Sequence, residues 1–197
     1  SGALSAAHSF FSLLPPQDRK NAKGEVVQKG LFAEHPEFYA MNRSGVREAG
    51  WAMGLCGTNP DLARQLGGAL LDETRRRIAA AEARGAAYDP RMPIAAAQGD
   101  GFSGCFCAAC RALVREERSE AAPYVLLLNR AIEVLAREQP KQQVITFAYF
   151  ATLDAPRTLK PHDNLWICIV SSDCGAHMSG DQIGSVPHGP GNRDYAR

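Results

Sequence analysis

Apolar and polar residues repeat along this chain at two different periods. Over residues 60–84, Leu62, Leu66, Ala69, Leu70, Thr74 and Ile78 share one face of a 3.6-residue repeat. Arg64, Arg75, Arg76, Arg77 and Glu82 fall elsewhere. That pattern predicts an amphipathic helix packed on a sheet, with the arginines on a solvated face. Asn59 suits its N-cap, Pro60 its first helical position, and Gly85 its stop. A second helix is predicted over 123–138, with Val125, Leu128, Ile132 and Leu135 on one stripe and Pro140 beyond its end. Residues 108–118 read as a shorter one.

Between these helices lie short, continuous apolar runs. Residues 8–14 end at Pro15-Pro16, and residues 51–56 lead into Thr58-Asn59-Pro60. Residues 94–97 stop at Gln98-Gly99-Asp100-Gly101. Residues 144–149 are rich in β-branched and aromatic side chains, and residues 164–170 stop at Ser171-Ser172-Asp173-Cys174. Each run is predicted as a strand. Residues 17–30 form a polar, exposed excursion. Pro36 argues against a long helix over 31–39, and Asn42-Arg43-Ser44-Gly45 is a turn. The segment 175–197, rich in Gly, Pro and His, carries no period and reads as an irregular tail.

Apolar strands that alternate with helices predict an α/β fold with a parallel sheet covered on both faces. About five strand–helix units are visible. No GxGxxG follows a strand, so a dinucleotide fold is disfavoured. An open sheet or a TIM-type (β/α) barrel remains. A whole barrel takes about 250 residues, so a chain of 197 residues would hold only part of one. Residues 1–197 are expected to form a single barrel-type domain, a fragment of a longer protein, because the chain opens directly into an apolar run.

The chain is 45% hydrophobic and 22% charged, which suits a globular fold with a real core. A formal net charge of +1 supplies no field for nucleic acid or an anionic membrane. No apolar run reaches the roughly 20 residues of a membrane helix. The first residues lack the basic lead of a signal peptide, so the expectation is either a cytosolic protein or one whose leader has been removed. Six cysteines are too few for a disulfide scaffold at this length.

The candidate chemistry gathers at strand ends. Asp100, set between glycines after an apolar run, is delivered to the mouth where α/β proteins place reacting groups. Glycosidic cleavage needs two carboxylates, and Asp173 at a later strand end is the candidate partner. Capping of the next turn is the plainer role for Asp100, and a sugar-hydroxyl or loop hydrogen bond for Asp173. Gln98, His8, Tyr149 and His177 suit hydrogen bonding to sugar hydroxyls, and Phe102 and Trp51 suit stacking on a pyranose face. Core packing is the competing role for Tyr149 and the two aromatics, and a satisfied structural histidine the competing role for His177. Cys105, Cys107 and Cys110 form CxCxxC. This set can grip zinc, pair as a disulfide or stay as thiols. A structural zinc would need a fourth ligand, such as Cys174 or His177. Cys56 and Cys168, in apolar runs, read as small buried hydrophobes.

Seven segments in order carry a resemblance: HSFFSLLPP, FAEHPEFYAMNRSG, LCGTNP, AAQGDGFSGCFCAACRA, LLLNRAIEVLAREQP, TFAYF and LKPHDNLWICIVSSDC. From about residue 7 to 177 the chain resembles a bacterial family catalogued as domain of unknown function 4838, a glycoside-hydrolase-like barrel family akin to α-glucuronidases and hexosaminidases. The resemblance implies a TIM-like barrel whose first and last strands lie outside this chain, preceded in full-length members by a small α/β domain. It also implies an extracytoplasmic location and flanking domains or a partner chain that complete the barrel. Members usually carry Asn at the position of Gly99 and Glu at that of Asp173, which weakens the case for the second carboxylate.

The expected function is therefore glycoside hydrolysis on a polysaccharide or glycan, led by Asp100, with no required cofactor and a structural zinc as an option. A catalytically inactive carbohydrate-binding barrel is the first alternative. A zinc-dependent hydrolase centred on the cysteines is the second, disfavoured because catalytic zinc keeps His or carboxylate ligands and an open position.

Overall fold

The computed structural model describes residues 9–48, 54–99 and 104–170. His8, Trp51, Asp100, Phe102, Asp173, Cys174, His177 and the predicted tail lie outside them. In order, the elements are α1 (Phe10–Leu13), β1 (Arg19–Lys20), β2 (Val26–Gln28), a 3₁₀ turn (Pro36–Phe38), α2 (Pro60–Glu82), β3 (Ile94–Ala95), α3 (Ala108–Glu117), α4 (Ala122–Ala136), β4 (Val144–Ala148), a second 3₁₀ turn (Phe150–Thr152) and β5 (Leu165–Ile169).

The long helix forms where its signals stand. Asn59 Oδ1 accepts from the N–H groups of Asp61 and Leu62, at 2.9 and 3.0 Å, and satisfies two donors that the first turn cannot. At the other end Gly85 takes the left-handed φ of +66°, and the Ala86 N–H reaches back to Ala81 O at 3.0 Å. Leu62, Leu66, Leu70 and Thr74 are buried as the period requires. The arginines pair along the helix surface, Arg64 with Asp61, Arg76 and Arg77 with Glu73, and Arg75 with Glu138 of the chain after α4. α4 carries Pro123 in its first turn and buries the predicted stripe of Val125, Leu128, Ile132 and Leu135. The two helices pack on each other and enclose the core with Ile94, Ala96, Val144 and Leu165 from the strands.

The three core strands run parallel in the order β3-β4-β5. Ile94 sits opposite Val144, and β4 pairs with β5 from Val144↔Leu165 to Ala148↔Ile169. β1 and β2 form a separate, exposed antiparallel hairpin in the predicted polar excursion. The turn at Asn42 is present, with Asn42 N–H to Val46 O at 2.8 Å and Asn42 Oδ1 accepting from Ser44 and Val46.

Two expectations are corrected. The run at 8–14 is not a strand where it is described. Phe10–Leu13 is one helical turn, with Ser9 O accepting from Ser12 and Leu13. A run this short has no period that separates helix from strand, and one turn buries both Phe10 and Leu14 on the same side. The strand at 165–169 is not covered on both faces. It is the edge of the described sheet, with Trp166 48%, Ile167 40% and Ile169 60% exposed and Cys168 exposed as well. Among the described residues no helix is long and apolar enough to cross a membrane.

Candidate functional site: strand ends and a four-cysteine corner

β3 and β4 deliver their C-terminal ends to a small buried polar group. Gln98, just past β3, donates through Nε2 to Thr152 Oγ1 at 3.0 Å and to Phe147 O at 3.4 Å. The Tyr149 hydroxyl donates to Gln98 O at 3.3 Å. Thr152 Oγ1 accepts from Tyr149 N–H and donates to Tyr149 O, closing the 3₁₀ turn after β4. All three side chains are buried. Gln98 Oε1 is the exception within the group, a buried acceptor with no hydrogen-bond partner among the described residues. Phe10 N–H bonds Ala97 O at 3.0 Å and Ser9 Oγ accepts from Ala97 N–H at 2.9 Å, so the chain at 9–10 lies along the same end of β3. The Tyr149 ring is buried and its hydroxyl rests on the Gln98 backbone. Thr152, which pattern reading passed over, is what orients Gln98.

The other constellation lies past the end of β3. Cys105, Cys107 and Cys110 converge with Cys56 so that all four sulfurs lie within 4.8 Å of one another. Cys56 Sγ is 3.7 Å from Cys107 Sγ and 3.9 Å from Cys110 Sγ. Cys56, Cys105 and Cys110 are buried and Cys107 is half-buried. The fourth sulfur is thus Cys56, which had read as a buried hydrophobe. Nothing local distinguishes a cysteine that ends an apolar run from a packed one, and only the fold brings it across.

Backbone pairing explains the approach. Tyr39 and Leu55 form an antiparallel bridge, with Cys56 N–H on Phe38 O at 2.8 Å and Ala40 N–H on Gly54 O at 2.9 Å. One residue further on, Met41 N–H donates to Cys105 Sγ at 3.4 Å and Met41 O accepts from Phe106 N–H at 2.8 Å. A single extended segment therefore holds both sides of the cluster. Gly57 lets the chain press on α4, because a Cβ there would stand 2.2 Å from Pro123 O. Cys107 is the N-cap of α3 and Cys110 lies in its first turn, where the helix dipole favours negative charge. Thr58 Oγ1 lies 3.2 Å from Cys110 Sγ. Arg111 is bidentate to Glu120 at 2.7 and 2.8 Å and sits over the Phe106 ring, fixing the loop between the cysteines.

Charge at the corner is unevenly shared. Hydrogen bonds from Cys105 and Cys110, helped by Arg47, hold the Cys56 thiol far below its ordinary range against the effect of burial. The Cys105 thiol is lowered by its contact with Cys110, but the contact with Cys56 and burial outweigh this and push it up to about 11. Contacts with Cys105 and Cys56, and then burial, drive Cys110 upward as well. With protons alone, one thiolate is favoured and the next is opposed by its neighbour. A groove of about 900 Å³ opens beside β3, between Ser12, Gln28, Arg64, Asp72 and Ile94, and shares no residue with the cysteine corner.

Comparison with the curated proteins and with the solved structures finds no match. One family does match, and its extent covers both constellations and every candidate residue named from the sequence. Over residues 8–186 the chain matches the family described as Domain of unknown function (DUF4838), and it belongs to that family.

Proposed function

We propose that this chain is part of a TIM-type (β/α) barrel of a carbohydrate-active protein, a glycoside hydrolase that cleaves by carboxylate acid/base catalysis. The observation that carries the reading is the convergence of parallel strand ends on Gln98, Tyr149 and Thr152, with one buried amide oxygen left unsatisfied among the described residues. Asp100 follows Gln98 by two residues. C-terminal strand ends are where parallel α/β folds place their reacting groups. The order of strands, each followed by a helix or a turn on the way to the next, also fits successive barrel units. The apolar edge at Trp166, Ile167 and Ile169 supports completion of the sheet by flanking sequence or a partner chain.

In this reading Asp100 is the acid/base carboxylate. Asp173 is its candidate partner, and His8, His177 and Phe102 join Gln98 around the sugar. Tyr149 acts by holding Gln98 O. The test is hydrolysis of a panel of aryl glycosides and uronides by the full-length protein beside Asp100→Asn. The expected result is turnover on some member, reduced about 10²–10⁴-fold in the variant, the usual contribution of a positioned acid or base. Undiminished turnover in the variant would remove Asp100. No turnover by the wild type, with saturable glycan binding, would replace the enzyme by a binding barrel.

A further inference from the structure

We propose that Cys56, Cys105, Cys107 and Cys110 together bind one zinc ion, as a structural centre that ties the chain ahead of α2 to the start of α3. This stands apart from the glycosidase reading and uses none of its residues.

The geometry fits one tetrahedral ion. Thiolate sulfurs about 2.3 Å from a tetrahedral zinc stand about 3.8 Å from each other. The separations from Cys56 to Cys107 and Cys110 are 3.7 and 3.9 Å, and all four sulfurs share a sphere within 4.8 Å. A polynuclear iron–sulfur cluster needs its cysteines spread around a larger inorganic core. A disulfide needs two sulfurs at about 2.05 Å, and no pair among these residues is joined. Four soft, negative ligands at tetrahedral spacing select zinc.

The surroundings fit the charge of such a centre. Zinc with four thiolates carries a net negative charge, and its sulfurs need donors around them. Met41 N–H reaches Cys105, Thr58 Oγ1 lies against Cys110, and the guanidinium of Arg47 favours a thiolate at Cys56. Cys107 is the N-cap of α3 and Cys110 lies in its first turn, the end of a helix whose dipole favours negative charge. Binding releases the thiol protons to solvent and changes no oxidation state. With four thiolates no position is left for water or substrate, so the centre holds structure and does no chemistry. What it holds is the return of the chain from β3 to α3, clasped against the 54–58 segment.

The test is metal content and thiol chemistry of the full chain purified under reducing conditions, with zinc supplied and no substrate present. The expected result is one zinc per chain, released in step with modification of four thiols by a mercurial. Cobalt in its place should give the visible absorption of a tetrahedral four-thiolate site. Cys110→Ser should drop zinc to a small fraction of one per chain, while Cys168→Ser, at an exposed cysteine, keeps it. Should Cys110→Ser fail to fold, Cys107→Ser at the half-buried ligand, and the cobalt spectrum of the wild type, give the same reading. Absence of zinc with all thiols titrating freely, a disulfide between any two of the four, or iron in place of zinc would each overturn the assignment. Glycoside turnover enters none of these readouts, so the two proposals fail separately.

Discussion

The α2–α4 core and the cysteine corner are both buried, and they are held by opposite kinds of force. In the core, Leu62, Leu66 and Leu70 meet Leu128, Ile132 and Leu135 through apolar area that has no preferred direction. In the corner the contacts are directional: an N–H on Cys105, a hydroxyl on Cys110, sulfur on sulfur at Cys56, a bidentate pair at Arg111. The first region should respond to the volume a substitution removes. The second should respond to chemistry at nearly constant volume.

That contrast is broken or confirmed most sharply by two variants measured side by side. Leu128→Ala removes a fully buried side chain from the helix interface and should cost about 2–5 kcal/mol, the range for such cavities. Cys110→Ser changes almost no volume. If the corner is a metal centre, its binding free energy is folding free energy, and the serine variant should cost more than the leucine one. Urea unfolding of both variants and the wild type decides this. A cost below about 1 kcal/mol for Cys110→Ser, the scale of an ordinary substitution, would make the corner a patch of packed thiols and erase the difference between the regions.

Gly57 sits where the two regions touch, and it sharpens the boundary. A Cβ there would meet Pro123 backbone at 2.2 and 2.4 Å, so the start of α4 must move away from the segment that carries Cys56. Gly57→Ala should cost about 1–3 kcal/mol, as overpacking does. It should also lower zinc retention, because the displaced segment is the one that supplies the fourth sulfur. Full stability with full metal content would show that the core and the corner do not share this wall.

The same contrast explains what could be read in advance. α2 was legible to its caps because Asn59, Pro60, Gly85 and the leucine repeat all act locally. α3, α4 and β4 followed for similar reasons, and the three parallel strands came from apolar runs between them. The strand at 165–169 was legible as a strand but not as an edge, since burial of either face depends on what lies beside it. The turn at Phe10 was lost because four apolar residues within 10–14 carry no period. The CxCxxC was visible as a ligand set. Its partner Cys56 lies 49 residues earlier and is brought across by tertiary pairing, such as the bridge between Tyr39 and Leu55. Gln98 was legible as a residue suited to sugar hydroxyls, while its anchoring by Thr152 and Tyr149 is a tertiary arrangement with no local signature.

The smallest expected effect lies at the far end of α3, where a carboxylate does what the cysteines do near its start. Buried Glu117 accepts from Thr158 Oγ1 at 2.5 Å, Thr158 N–H at 2.7 Å and Leu159 N–H at 3.1 Å, and so fastens the loop between β4 and β5 to the helix. Those bonds, the Thr158 hydroxyl foremost, hold the Glu117 carboxyl below its ordinary value, which is about 4.3 in an unfolded chain. Between the folded and unfolded values the unfolded chain binds more protons, so stability rises with pH there. The contribution is complete above about pH 5 and disappears as pH falls through the folded value. Thermal midpoints of wild type and Glu117→Gln should therefore differ by a constant amount from pH 7 to about pH 5 and converge below it. A gap that is unchanged down to the acid limit would mean that the glutamine reproduces only the packing at this site and that the charge adds nothing. Convergence would show the same directional holding at both ends of α3, one end through a carboxylate and the other through sulfur.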